Sequence, residues 1–437
     1  MIRLWPLGGL LLALTLGALS LHTPGALTLG ALERKNTFVA ILGVSAAVYL
    51  LAVALVLRPS ARSGIGVVLL LAAAMRLPLI VSTPFLSTDI FRYVWDGRVQ
   101  AAGINPYRYI PDEPELAALR DKAVFPHINR AEWAPTIYPP AAQVIFAAVG
   151  AVWSSVTGVK VAMVGFEILA VVCLLGLLAA AGLPRERVLI YAWNPLPVWA
   201  FAGNGHVDAA AAGWVAAALL LRVRRRDGWA GAALGLAILT KFLPAAVAPV
   251  LWRARAGWRT AAACLATIVA VYAVYSSAGA LVFGFLDGYG AEEGYDSGAG
   301  FWLLAGLGRW VALPDAAAEV YKAAAVAGLA GLGAWFAFVR RPDDPVAICG
   351  AAGVMMSVAT SAVSPHYPWY FAWLAVPCVL APIPAVLWLS AAPILMYLDT
   401  FGDRFLLPSV VYVPAILLAL SSLRRPRSTL APIKGNT

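Results

Sequence analysis

Long apolar runs separated by short polar segments are the dominant pattern along the chain. Runs close to membrane-spanning length occur at 4–21, 37–57, 64–82, 137–157, 161–182, 257–279, 318–339, 345–363 and 408–423. Shorter runs, several of them interrupted by Pro or Gly, occur at 188–202, 208–222, 229–240, 242–252, 369–382 and 384–398. Because a bilayer crossing takes roughly 20 apolar residues, the pattern predicts an all-α, polytopic membrane protein of roughly 12 to 15 transmembrane or re-entrant helices.

The composition agrees with this pattern. Hydrophobic residues make up 62% and charged residues 12% of the 437 residues, whereas soluble domains are about half apolar and about a quarter charged. The net charge of +10 comes from short basic clusters between apolar runs, which indicates topology rather than nucleic-acid binding. We expect a single integral membrane domain over residues 1–437 in the cell membrane, with the lipid bilayer as a partner and no nucleic acid.

The basic clusters predict the orientation, because Lys and Arg are enriched in cytoplasmic loops. Clusters such as 222–226 mark the cytoplasmic side, so loops 83–136 and 280–317 become the first and second large extracytoplasmic loops. Three apolar runs separate loop 83–136 from segment 203–208, although both are predicted to lie outside. Either one of these runs is re-entrant, and the Pro-interrupted run 188–202 is the suspected one, or a boundary is misplaced.

The first polar loop begins with the sequence FLSTDIFRYVWDGRVQ. Ser87 or Thr88 predicts the cap of a short helix that starts near Asp89. On that helix Asp89, Arg92 and Asp96 share one face, which suits either a solvated row of charges at the membrane boundary or a functional site. A second helical piece, PELAALRDK, has too few apolar residues to cross and is predicted to lie along the interface.

Charged residues inside apolar runs are expensive in hydrocarbon and need a partner. Arg76 is predicted to face a cavity or a counter-ion. With Asp89 at the rim and Arg76 roughly two turns deeper, the pair suits a ligand that combines a hydroxyl with a lipid-linked phosphate. Glu167 is interpreted as structural, either hydrogen-bonded between helices or paired with Lys160.

Several short motifs together resemble a known family. They are STDIFRYVWDGRV, GINPY, YPP, WNPL, GNGHVDA and SPHYPWYFAW, spread over most of residues 64–380. This combination is similar to the polyprenyl-phosphate-sugar-dependent glycosyltransferases of the GT-C superfamily, and closest to their bacterial α-mannosyltransferase branch. The resemblance implies a multi-helix membrane enzyme with an extracytoplasmic site, a sugar donor on polyprenyl phosphate, and a catalytic base that matches Asp89.

The chemistry of such a transfer indicates which further residues are needed. A base must take the proton of the acceptor hydroxyl, and a single displacement inverts the anomeric centre. Fixed cations stabilise the leaving phosphate, and we predict Arg76, Lys241 and His366 for that role. The residues predicted to shape the substrate pocket are Arg92, Asp96, Tyr107, His206, Asp208 and Tyr367.

Ordinary structural roles compete with these assignments. Lys241 suits a lysine that extends to the membrane interface, and Asp208 suits a helix cap beside a bystander, His206. The aromatic residues that follow His366 suit membrane anchors. The glycine-rich segment 284–302 suits either a mobile lid over the acceptor or a disordered connector.

Partners and cofactors follow from the same reading. The expected partners are a polyprenyl-phosphate sugar donor and a glycan or glycolipid acceptor. No DxD-type cluster of carboxylates is visible, so no cofactor is favoured, although a divalent cation stays open. Two other functions remain alternatives, namely a lipid-linked glycan ligase or polymerase, and a non-enzymatic lipid or sugar transporter or flippase. The latter typically shows internal repeats, and none is visible in this chain.

Overall fold

The structure, a computed structural model, describes residues 4–22, 30–58, 64–398 and 402–424. Helices account for 74% of it, and none of the described residues forms a strand, which confirms the all-α fold. The helices of the first half are α1 (Trp5–Ser20), α2 (Ala31–Val56), α3 (Ile65–Val81), α4 (Asp89–Ala101), α5 (Pro140–Trp153), α6 (Val156–Ala180), α7 (Leu189–Ala192), α8 (Pro195–Pro197) and α9 (Asp208–Val223).

The second half continues in the same way. Its helices are α10 (Asp227–Thr240), α11 (Ala248–Leu251), α12 (Gly257–Val274), α13 (Leu286–Glu292), α14 (Trp302–Leu307), α15 (Ala317–Ala334), α16 (Pro345–Val363), α17 (Ala375–Cys378), α18 (Pro384–Leu389) and α19 (Leu406–Arg424). Short 3₁₀ helices cover Pro114–Leu119, Phe125–His127, Arg185–Val188, Leu243–Val247, Ser276–Phe283, Pro368–Leu374 and Ala392–Leu398, and π-helices cover Val198–Gly203 and Trp335–Arg340.

Several helices have the length and composition of membrane spans. In the described part of the chain, five are long and apolar enough to cross a bilayer: Leu32–Val56, Val156–Ala180, Gly257–Val274, Ala317–Arg340 and Pro345–Val363. Further apolar helices of 10–17 residues, such as α1, α3 and α10, accompany them. The chain is therefore a polytopic all-α membrane protein, while the count of 12 to 15 membrane segments stays a prediction.

Helix α5 stays at one end of the helix bundle instead of crossing it. Its 14 residues span about 21 Å, less than the roughly 30 Å of a hydrocarbon core. Near its start Gln143 donates a hydrogen bond of 2.8 Å to Asp96 of α4. Further along, Gly150 lies so close to Gly97 of α4 that a Cβ on either glycine would meet backbone. Helix α6 then begins beside the end of α3. Lys160, near the start of α6, donates hydrogen bonds to the carbonyls of Leu79 and Ser82.

The Pro-interrupted run 188–202 extends along the length of α3. The indole N–H of Trp193 donates to the carbonyl of Val68 in the first turn of α3, at 2.9 Å. Beyond the other end of α3, the side chain of Asn204 accepts from the backbone N–H of Leu86 at 3.0 Å. This geometry argues against the suspected re-entrant role of 188–202 and favours 137–157, which contains α5, as the non-crossing run.

Basic residues gather at the opposite end of the bundle. Arg222, in the last turn of α9, lies 3.4 Å from Asp343, and Arg253 lies 2.8 Å from Asp227 at the start of α10. These arginines belong to clusters that predict the cytoplasmic side. The residues predicted for the site lie mainly toward the other end, where α9 begins at Asp208.

Helix α4 begins where the loop sequence predicts. The backbone N–H of Asp89 donates to Oγ of Ser87 at 3.2 Å, and Thr88 is the N-cap residue without a side-chain cap bond. A carboxylate in the first turn is favoured by the helix dipole. The helix ends before Gly103, whose φ of 78° is easily reached only by glycine. Asp89 thus stands at the very start of a short helix that directly follows α3.

Candidate active site

A cavity of about 910 Å³ lies beside the start of α4. Polar side chains line one part of it, namely those of Ser87, Thr88, Asp89, Asn129, Arg130, Tyr138, Lys241, Tyr289, Tyr295, Tyr367 and Tyr370. Apolar side chains from the 3₁₀ helix Leu243–Val247, α15 and α16 line another, including Val326, Leu329, Ala330, Met355, Ala359 and Val363. The cavity therefore presents charged groups and an apolar surface to the same ligand.

Asp89 is the carboxylate at the charged part of this cavity. Its side chain keeps 20% of its surface exposed. Oδ1 accepts a hydrogen bond of 2.9 Å from the amide of Asn129, which orients the carboxylate. Oδ2 lies 3.7 Å from Nδ1 of His206, beyond hydrogen-bond distance. One carboxylate oxygen of Asp89 is therefore hydrogen-bonded to Asn129, and the other makes no hydrogen bond with the imidazole of His206.

Burial and nearby charges act in opposite directions on Asp89. Burial raises the pKa of the carboxyl group, and the charge of Lys241, the hydrogen bond from Asn129 and the charge of Arg130 lower it. The pKa ends above its usual value. Arg92, which shares a helical face with Asp89, is not among the groups that lower this pKa.

Lys241 is brought to the cavity by the end of α10. Its ammonium nitrogen lies 2.8 Å from Oδ1 of Asp208 and 3.5 Å from the centroid of the Tyr370 ring. Lys241 lines the cavity, so the ammonium stands between a buried carboxylate and an aromatic face. Such a lysine is held in place and contributes positive charge near Asp89.

Arg130 is a cavity residue that the sequence reasoning missed. Its guanidinium makes a double hydrogen bond with Glu292 at the end of α13, and the shortest distance is 2.6 Å. Asn129 precedes it and reaches Asp89 from 40 positions along the chain. The polar character of the segment HINR was the available signal, but local spacing alone does not show that it folds back over α4.

Four further predicted residues lie at or beside the cavity. Asp208 holds Lys241, while His206 stacks on Trp369 with ring centroids 4.0 Å apart. Tyr367 lines the cavity directly. His366 lies beside the cavity. Its Nδ1 is 3.1 Å from Oε2 of Glu293, and its side chain also contacts Arg404. Glu293 and Arg404 were not predicted.

Arg76 is placed away from the cavity. It forms a buried ion pair with Glu167 of α6 at 2.7 Å and donates to the carbonyls of Ala72 and Ala192. The structure therefore gives Arg76 the counter-ion that its burial requires, and does not bring it to a phosphate site. The pairing of Glu167 with Lys160 is wrong, because Lys160 donates to backbone carbonyls at the end of α3.

Three predicted pocket residues are likewise outside the cavity lining. Arg92 and Asp96 form a buried i,i+4 pair at 3.0 Å. Thr136 donates to the same carboxylate at 2.6 Å, so the pair ties loop 83–136 to α4. The hydroxyl of Tyr107 donates to a backbone carbonyl at 2.7 Å. These side chains support the loop that carries Asp89.

More than half of the chain matches the model of a known protein family. The model of the family described as alpha-(1->6)-mannopyranosyltransferase, N-terminal domain, matches residues 8–257, which is more than half of the chain. No curated protein and no solved structure matches. In the described residues, no group of three or more His, Cys, Asp or Glu side chains is arranged to hold a metal ion.

Proposed function

We propose a reaction for this chain on the premise that it belongs to the alpha-(1->6)-mannopyranosyltransferase family, a GT-C-type family, and is a membrane glycosyltransferase. The proposed reaction transfers mannose from polyprenyl phosphate to a hydroxyl of a glycan or glycolipid acceptor, with inversion. The site is proposed to face the extracytoplasmic side. Asp89 is proposed as the general base.

One observation carries this proposal. The same cavity holds the carboxylate of Asp89, the cations of Lys241 and Arg130, and an apolar wall from α15 and α16. A sugar on polyprenyl phosphate has a polar head, a negative charge and a long hydrocarbon tail. The cavity offers a matching group for each of these parts.

The proposed chemistry is a single displacement. Asp89 accepts the proton of the acceptor hydroxyl while that oxygen attacks the anomeric carbon of mannose. The bond from this carbon to the phosphate oxygen breaks, and the phosphate leaves with the bonding electrons. Lys241 and Arg130 line the cavity and stabilise the charge of the departing phosphate. The proposal uses no metal ion, because these cations supply the positive charge.

Donor identity and product stereochemistry test the proposal. Purified protein in nanodiscs is expected to transfer mannose from β-linked polyprenyl phosphate mannose and to release an α-linked product, identified by NMR of the new glycosidic bond. The α anomer of the same donor is the matched control and is expected to be inactive. Transfer from a nucleotide sugar instead, or retention of configuration, would contradict the proposal. Transfer of a whole oligosaccharide from a pyrophosphate would indicate a lipid-linked glycan ligase.

Acidification is expected to remove activity along a limb whose midpoint lies above 3.8, the ordinary pKa of this carboxyl group. The base must be ionised, and the raised pKa of Asp89 makes its protonated, inactive form accumulate at a higher pH than usual. The measurement is kcat/KM against pH. Asn129→Leu removes a hydrogen bond that favours the carboxylate, so its limb is expected at higher pH still. A midpoint at or below 3.8 in both proteins argues against Asp89 as the base.

A further inference from the structure

His206 is a fully buried histidine beside the proposed base. Its side chain has no exposed surface, and Nδ1 lies 3.7 Å from Oδ2 of Asp89. Within the described part of the chain, neither nitrogen of the ring makes a hydrogen bond. Buried polar groups normally have hydrogen-bond partners, so an imidazole with two unpaired nitrogens next to a carboxylate calls for an explanation.

The backbone before the imidazole is fixed against the start of α4. Gly205 has a φ of 67° and lies so close to Ile90 that a Cβ on the glycine would collide with that side chain. The side-chain oxygen of Asn204 accepts a hydrogen bond from the backbone N–H of Leu86, at 3.0 Å. Because these two contacts lie on either side of Asp89 in the sequence, they hold the imidazole in one place beside the carboxylate.

Trp369 fixes the plane of the imidazole ring. The two rings stack with centroids 4.0 Å apart and planes within 18° of parallel. Stacking covers a face of the imidazole and leaves the nitrogens at its edge directed toward neighbouring groups. The carboxylate of Asp89 keeps 20% of its surface exposed, so it has more room to move than the ring.

Electrostatics favours the tautomer of His206 that carries its proton on Nδ1. A lone pair on this nitrogen would face the negative carboxylate of Asp89, whereas an N–H group there is attracted to it. Burial and the charge of Lys241 lower the pKa of the imidazole, so the ring stays neutral. A neutral imidazole with its proton on Nδ1 is a hydrogen-bond donor toward Asp89.

We propose that His206 is a positioning residue for Asp89, which holds the carboxylate toward the acceptor hydroxyl by donating from Nδ1 to Oδ2 while Asn129 donates to Oδ1. The bond forms when nitrogen and oxygen approach to about 3.0 Å, through a small rotation of the Asp89 side chain. Hydrogen bonds of this kind are often long before substrate binds and shorten in the complex. Each carboxylate oxygen keeps a further lone pair for the proton of the acceptor. The inference rests on the proposed function, because it concerns the base of that reaction.

Two substitutions separate the hydrogen bond from the packing of the ring. His206→Asn places an N–H donor near the former position of Nδ1 and loses the stacked ring. His206→Phe keeps a ring on Trp369 and loses the donor. We expect activity to follow the donor and thermal stability to follow the ring, so the two variants rank in opposite order in the two measurements.

The kinetic effect of His206→Phe is expected in kcat. A fall of about ten-fold or more corresponds to one hydrogen bond to a charged group. The KM for the donor is expected to stay within about two-fold, because His206 does not line the cavity. The acid limb of kcat/KM is expected at higher pH, since the lost donor favoured the ionised carboxylate. His206→Asn is expected to retain most of kcat and the limb of the unsubstituted protein.

An exposed histidine of loop 83–136 provides the matched control. His127 lies outside the cavity lining, and His127→Phe is expected to change neither kcat nor the acid limb. All three variants retain the other titratable groups that interact with the charge of Asp89. These are Lys241, Arg130, Asp208, Tyr93, Tyr138 and Tyr367. A shift of the limb in His206→Phe alone therefore reports the imidazole.

Nitrogen-15 NMR of labelled histidines reports the hydrogen bond without turnover. The chain has four histidines, and the signals lost in His206→Asn identify the residue. We expect the Nδ1–H tautomer, whereas a histidine free in water favours Nε2–H. Asp89→Asn is expected to shift the Nδ1 signal, because it removes the negative charge from the hydrogen-bond acceptor.

Three results would overturn the inference. The first is an unchanged kcat and acid limb in His206→Phe. The second is a loss of kcat in His206→Asn as large as that in His206→Phe, which would assign the residue to packing. The third is an Nε2–H tautomer that does not respond to Asp89→Asn. Failure of the proposed function appears differently, as absence of mannose transfer from polyprenyl phosphate by the unsubstituted protein.

Discussion

Replacing Asp89 by asparagine is expected to lower kcat about 10²- to 10⁴-fold, the range that a positioned proton acceptor contributes. The amide keeps nearly the same shape and still hydrogen-bonds Asn129 after an amide flip, but it does not accept the proton of the attacking hydroxyl. Binding of the donor is expected to change much less than kcat. The measurement is the rate of transfer of radiolabelled mannose from polyprenyl phosphate mannose by purified protein.

A carboxylate elsewhere in the same loop provides the control for this substitution. The Asp112 side chain is 46% exposed and forms a long ion pair with Arg120, at 3.4 Å. Asp112→Asn is therefore expected to retain kcat within about two-fold, since surface pairs contribute little. Near-normal turnover in Asp89→Asn would remove Asp89 from the role of base, and the proposed mechanism would fail with it.

Arg76→Leu is expected to destabilise the protein by about 3–5 kcal/mol, the usual cost of breaking a buried ion pair from one side. The substitution leaves Glu167 charged and buried between helices without its partner, and the carbonyls of Ala72 and Ala192 lose their donor. Arg76→Leu combined with Glu167→Leu is expected to recover much of this loss, because no unpaired charge remains. The measurement is the free energy of unfolding in detergent or nanodiscs.

The two assignments of Arg76 differ in what the single variant should do. A phosphate-binding residue would raise the KM for the donor without a large loss of stability. A structural pair lowers stability first, and donor affinity follows only as far as the fold is lost. A variant with full stability and a much weakened donor affinity would restore the sequence-based assignment.

Local sequence was sufficient to locate Asp89 but not its surroundings. The start of α4 follows from Ser87, Thr88 and the end of the preceding apolar run, so Asp89 was placed within one residue. Arg92 was predicted to share one helical face with Asp89 and to shape the substrate pocket. It pairs with Asp96 instead, because i,i+4 neighbours on a helix lie within reach and Asp96 also receives Thr136.

Contacts between distant parts of the chain explain most of the differences between the predicted site and the observed one. Arg76 and Glu167 are 91 positions apart and meet only once α3 packs beside α6. Asn129 and Arg130 reach the cavity because a long loop folds back across α4. A helical period indicates which residues share a face of one helix, but it carries no information on which other helix that face meets.

The number of crossings shows the same limit in another form. Apolar length made the run 137–157 look like a span, and its prolines made 188–202 look irregular. The glycine contact between α4 and α5 and the position of Lys160 reverse that order. Hydropathy measures how well a segment tolerates hydrocarbon, and α5 uses its apolar face to pack on another part of the same protein.

The contact of Gly97 in α4 with Gly150 in α5 also has a consequence for how substrates enter the cavity. Backbone packs against backbone there, so α4, which carries Asp89, is held closely against α5. On another side of the cavity, α13 is held by the ion pair of Arg130 and Glu292. The side chains of this pair stay partly exposed to solvent. We therefore expect substrates to enter the cavity on the α13 side, while Asp89 keeps its position.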